Sequence, residues 1–161
     1  MLSGYYEGDA TAALIAQDPI IDDPDRAPSA RIVRLSRRLR YAFDAMLEPQ
    51  GLTHVQCGLL MRLEIQDGLV QAELGRRMAI EPATLTGIVQ RLEREGWVRR
   101  SCDPDNRRLQ RVRLTEKARD VLPALHELQT RHRARAIAGL SSEELTTLED
   151  LLERIEVNVR S

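Results

Sequence analysis

Between Leu74 and Thr115 the chain reads LGRRMAIEPATLTGIVQRLEREGWVRRSCDPDNRRLQRVRLT, and no other stretch constrains the fold as strongly. Leu85, Ile88, Val89 and Leu92 recur at i, i+3, i+4 and i+7, the single apolar stripe of an α-helix. Pro82 suits the first helical position, where its missing N–H costs nothing. Gly96 suits the position just past the end, where a positive φ is needed. A shorter helix precedes it, with Leu74 and Met78 as its expected buried pair. Trp97–Arg100 then reads as a strand, and Arg111–Leu114 alternates polar and apolar as a half-buried strand does. Asp103 to Arg108 between them is turn chemistry ending in two adjacent arginines. Two helices around a tight turn, a strand, a basic loop and a second strand make the order of a winged helix-turn-helix.

The stripe leaves Ala83, Thr84, Thr86, Gly87, Gln90, Arg91 and Arg94 on the other surfaces of the second helix. Short and hydrogen-bonding side chains near its start, with basic ones further along, suit a helix that enters a DNA major groove. Thr84, Thr86 and Gln90 are the candidates for base-edge contact. Arg91, Arg94, Arg107 and Arg108 are the candidates for phosphate, or for a narrow minor groove where the negative potential is enhanced. The formal net charge of −1 looks wrong for such a role until it is mapped along the chain. Arg76 to Arg113 holds ten arginines against five acids, whereas residues 1–28 hold six acids against one arginine. Charge segregated in this way is the footprint of a face that meets phosphate. The competing view, arginines that merely solvate a helix, does not account for their coincidence with the wing.

These residues carry a family resemblance. Leu52-Thr53 with Gln56 opening a helix, PATLTGIVQRLEREGWV, the wing DPDNRR and the following VRLTEKA resemble the MarR family of bacterial transcriptional regulators, over residues 31–160. The wing and the strand after it are the most specific part. The resemblance implies a homodimer joined by its terminal helices, operator DNA as partner, and Asp103 as a brace of the wing. The chain departs from the family pattern at Asn106, where a second aspartate is usual, and at Ala79 and Glu81, where glycine and a serine cap are common. Glu81 is a poor N-cap.

The fold class expected is mainly α with a small β-hairpin wing, a winged helix-turn-helix plus a helical dimerisation region. Residues 1–28 form an acidic arm with Pro19, Pro24 and Pro28 and no strong periodicity, in which Ala10–Gln17 is a candidate helix. Residues 29–50 and 116–161 form the helical dimerisation region, and 51–115 the winged helix. Ser29–Met46 has helical spacing through Ile32, Leu35, Leu39 and Phe43. Thr53 and Thr115 cap further helices, and Ser141 to Glu144 is a capping box. The last helix carries Leu145, Leu148, Leu151, Leu152, Ile155 and Val159 on one side. Such stripes need a partner, and a second copy would supply it. Neither a signal peptide nor a membrane span is apparent, so the cytoplasm is the expected compartment. Two cysteines there imply no disulfide framework.

The resemblance also implies a small aromatic or anionic effector, bound between the dimerisation helices and the winged helix. Arg38, Tyr41 and Phe43, with His54 and Cys57, are the residues available, an arginine fixing an anion by charge-assisted hydrogen bonds. Promoter occlusion by a repressor, relieved by that effector, is the simplest function. The alternatives are a redox- or metal-responsive regulator of the same fold, through Cys57, Cys102 or the pair His54 and Cys57, and a winged helix used for protein association without DNA. No cofactor or metal is expected. An enzyme finds no support, since there is no phosphate loop, no Gly-rich cofactor turn and no nucleophile–base set; Asp103 and Asp105 read as a solvated structural turn.

Overall fold

The computed structural model describes residues 27–104 and 106–160. The chain divides into two compact units between Tyr41 and Ala42. The expected arm helix over Ala10–Gln17 lies outside the described residues.

Helix α1 spans Pro28–Leu47 and ends in a 3₁₀ turn, Glu48–Gln50, closed by Gly51 at φ 68°. Helix α2, His54–Ile65, opens on a reciprocal cap: the Gln56 N–H donates to Thr53 Oγ1 at 3.4 Å, and the Thr53 N–H donates to Gln56 Oε1 at 2.8 Å. A two-residue strand β1, Leu69–Val70, leads straight into α3, Gln71–Met78, and then α4, Pro82–Arg94. Strands β2, Val98–Cys102, and β3, Gln110–Leu114, form the hairpin. Helix α5 runs Glu116–Ala136 with Thr115 as its cap, and α6 runs Ser142–Arg160.

The sheet has three antiparallel strands in the order β1-β3-β2, not the two expected from the hairpin alone. Leu69 pairs with Val112 and Val70 with Arg111, so the entry to α3 is tied to the wing. The hairpin strand expected at Trp97–Arg100 is shifted to Val98–Cys102. Trp97 instead belongs to the turn after α4, its N–H donating to the Leu92 carbonyl at 2.8 Å. Asp67 fastens the same corner, accepting from the Leu114 N–H at 2.9 Å and pairing with Arg119 at 2.7 Å.

The core centres on α2. Cys57, Leu59, Leu60 and Leu63 are fully buried there, against Leu74, Leu85, Val89, Leu92, Val112, Leu122 and Leu125. Leu74 is buried as expected, while Met78 is half-buried at the edge of the core. The α3–α4 turn is tight. A Cβ on Gly75 would lie 3.1 Å from Leu85 Cδ2 and 3.2 Å from the Ile80 carbonyl oxygen. Ala79 holds φ 51° and ψ 43°, the left-handed conformation that glycine adopts without strain. That conformation costs an L-residue roughly 1–2 kcal/mol. Glu81 makes no side-chain cap at the start of α4, as its residue type implied.

Helix α6 opens with the expected capping box, Ser141 N–H to Glu144 at 2.7 Å and Glu144 N–H to Ser141 Oγ at 3.2 Å. None of its residues is buried. Leu148, Leu151, Leu152 and Ile155 stand 39–47% exposed. No helix among the described residues is long and apolar enough to cross a membrane.

Candidate nucleic-acid interface

Helix α4 is two-faced. Leu85, Val89 and Leu92 are buried, and Ala83, Thr84, Gly87, Gln90, Arg91 and Arg94 are exposed. At 100° per residue those six fall within about a third of the helix circumference, opposite the core stripe. Gly87 lies in the middle of that open face, and a Cβ placed on it would meet nothing within 4 Å. A glycine in an exposed helix interior costs about 1 kcal/mol relative to alanine. Packing does not demand it, so the bare backbone at Gly87 is free to serve close approach from outside.

Thr86 departs from the expected set. It is half-buried at the edge of the open face, its hydroxyl donating to the Pro82 carbonyl at 2.9 Å and accepting from Gln71 Nε2 at 3.0 Å. Its polar group is already occupied within the protein.

The arginines sort into two groups. Arg91 pairs with Glu95 at 2.8 Å, Arg100 with Glu93 at 2.6 Å, and Arg76 and Arg77 with Glu73. Hydrogen bonds from the Arg100 side chain hold Glu93 below the usual carboxylate range. Arg94, Arg99, Arg107 and Arg108 are exposed and have no acidic partner among the described residues. Arg99 was not among the residues expected at the site. Its signal was the alternation in β2, where Val98 turns inward and Arg99 outward.

The wing that carries Arg107 and Arg108 is braced from inside. Asp103, expected in a solvated turn, is 4% exposed. It accepts from Arg111 Nε at 2.6 Å and from the Asn106 N–H at 3.0 Å. Arg111 Nη1 donates onward to the Gly68 carbonyl at 2.9 Å, which links the wing to β1. Asn106 supplies no ion pair, but its Oδ1 accepts the Arg108 N–H at 3.1 Å, an Asx-type turn that shapes the tip.

The residues expected to hold an effector differ in their surroundings. Phe43 is buried and stacks on His132 with ring centroids 5.0 Å apart. His54 is held by Asp44, through Nδ1 at 3.0 Å and through its backbone N–H at 2.6 Å. Cys57 is fully buried, and burial pushes its thiol up to about 11, the opposite of a reactive thiolate. Arg38 and Tyr41 are exposed on α1. Cys102 is exposed and accepts from Gln110 Nε2 at 3.4 Å. His126 meets Glu64 at 2.5 Å. Among the described residues no three His, Cys, Asp or Glu side chains converge as metal ligands do. A recess of about 530 Å³ opens between α3 and α4, bordered by Gln71, Gly75, Ile80, Pro82 and Thr86. Another of about 400 Å³ lies beside Asp44, Glu48, Thr53 and Arg91. Neither is lined by Phe43, His54 or Cys57.

The MarR family model matches residues 52–109, which hold the helix-turn-helix and the wing as far as its tip, before β3. A probable transcriptional regulator from Pseudomonas aeruginosa is 32% identical over 83% of this chain and 99% of its own, with a TM-score of 0.74. The chain belongs to the MarR family. Among other solved structures, the transcriptional regulator SlyA is 27% identical, with 80% of this chain and 91% of that one covered and a TM-score of 0.72. A mutant MarR from E. coli, complexed with operator DNA, has the same fold at 23% identity and a TM-score of 0.75, with 83% and 98% covered. The MarR match runs from the start of α2 to the wing tip, whereas the similarity to the Pseudomonas structure covers 83% of the chain.

Proposed function

We propose that this chain is a sequence-specific DNA-binding regulator that acts as a homodimer and represses by occupying its promoter. The observation that carries the reading is the meeting of two features on one domain: an α4 face of short or hydrogen-bonding side chains around a bare Gly87, and a braced wing whose exposed arginines have no acidic partner among the described residues. On this reading Thr84 and Gln90 contact base edges in the major groove, with Ala83 and Gly87 allowing close approach. Arg94, Arg99, Arg107 and Arg108 meet phosphate or the minor groove. Arg91 joins them by exchanging Glu95 for phosphate. The exposed leucines of α6 support the dimer, because each fully buried leucine contributes roughly 1.5–3 kcal/mol. Two copies then read successive major grooves of a pseudo-palindromic operator. Release by a small aromatic or anionic ligand is proposed to use the exposed Arg38 and Tyr41, since Phe43 and Cys57 are committed to the core.

The salt dependence of DNA binding tests the wing. Arg107→Ala is expected to weaken binding to all sequences and to flatten the slope of log K against log salt by about one phosphate's worth. An unchanged slope and affinity would remove the wing from the interface. Gly87→Ala separates stability from function. It should raise the unfolding free energy by about 1 kcal/mol through helix propensity, while operator affinity falls because a methyl group intrudes on the groove. Equal or tighter operator binding would show that DNA does not approach this face.

A further inference from the structure

We infer that Gln71 is a positioning residue for sequence readout, acting on the recognition helix through Thr86; the inference rests on the DNA-binding reading above. Gln71 is the first residue of α3 and follows directly on β1. Its neighbour Val70 pairs in register with Arg111, the arginine that Asp103 holds in the wing. The Gln71 amide reaches across to α4 and donates to Thr86 Oγ1 at 3.0 Å, while the Thr86 hydroxyl donates back to the Pro82 carbonyl at 2.9 Å. The Thr86 rotamer is thereby fixed from two sides. Thr86 lies one turn into α4, between the core stripe and the open face of Thr84, Gly87 and Gln90. A link at that point sets how α4 is rolled about its axis relative to the wing sheet. Roll decides which base edges Thr84 and Gln90 can reach, whereas the wing arginines Arg99, Arg107 and Arg108 stand off α4 and keep their contacts with phosphate, which carry no sequence information. A sequence-only view of Thr86 as a base contact misses this, because its partner stands 15 residues earlier.

The test is selection from a random duplex library with the full chain, for wild type, Gln71→Ala, Thr86→Val, the double variant and Thr86→Ser. Non-specific affinity, salt slope and unfolding midpoint are measured alongside. Wild type enriching no site would overturn the DNA-binding reading itself. Given an enriched site, Gln71→Ala and Thr86→Val should each lose about tenfold in discrimination between that site and random duplex, a factor equivalent to ~1.4 kcal/mol. The double variant should lose no more than either single one, because the two side chains act as one unit. Thr86→Ser, which keeps the hydroxyl, should retain discrimination. Non-specific affinity and salt slope should stay at wild-type values throughout. Wild-type discrimination in Gln71→Ala, losses that add in the double variant, or a parallel loss on random duplex would overturn the inference. If Gln71→Ala does not fold, the shape-preserving Thr86→Val against Thr86→Ser decides the matter.

Discussion

Replacing Leu151 by aspartate is expected to yield a folded monomer that no longer holds operator DNA. Leu151 is 47% exposed and none of the α6 residues is buried within the chain, so the substitution removes nothing from the core around α2. In the proposed dimer the same side chain is covered. An unpaired carboxylate there forfeits the leucine's roughly 1.5–3 kcal/mol, and it adds the penalty of desolvating a charge without a partner. The change occurs once per subunit and is therefore felt twice. A monomer offers one recognition helix and one wing, and its operator affinity should drop to the non-specific level, about 10³-fold or more weaker. Sedimentation at micromolar concentration reads the assembly, and circular dichroism checks the fold. A dimer that survives Leu151→Asp would place the interface elsewhere.

Asp103→Ala is expected to have the largest effect within the winged domain. The carboxylate is almost fully buried and holds both Arg111 and the Asn106 backbone. Its loss leaves a guanidinium and a backbone N–H without their acceptor, a defect worth about 1–3 kcal/mol of stability. Arg111 also carries the link to Gly68, so the wing loosens from β1 as well as at its tip. DNA affinity should fall by more than in Arg107→Ala, because both tip arginines lose their placement. Asp103→Asn, which keeps an acceptor without the charge, should fall between wild type and Asp103→Ala. Denaturant midpoints and DNA titrations on the same samples check both effects. Wild-type stability and affinity in Asp103→Ala would mean that the wing is held by its strand pairing alone.

What the sequence made legible followed from local periodicity and turn chemistry. Pro82 opens α4 and Gly96 follows the Glu95 cap at its end, and Thr53, Thr115 and Ser141 cap the helices they precede. The exposed face of α4 follows from its stripe. Features fixed by distant partners were not legible. Strand β1 has two residues, too few for any alternation, and exists because Leu69 finds Val112 across the sheet. The burial of Asp103 depends on Arg111, eight positions on, and on Gly68. Thr86 carries the residue type of a base contact, and only the fold brings Gln71 to its hydroxyl. Phe43 and Cys57 looked available to a ligand because spacing locates a residue on a helix without saying what packs over it. Phe43 stacks on His132 and Cys57 lies within the core.

Retention of duplex DNA by the purified chain, titrated with salt and followed by footprinting of the enriched sequence, bears most directly on the central claim. The account predicts binding to random duplex at low salt that falls steeply as salt rises. It also predicts a selected pseudo-palindrome whose two protected half-sites have centres about one helical turn apart. No retention at low salt, or retention with neither salt dependence nor a paired footprint, would contradict it and leave the winged helix as a protein-association module.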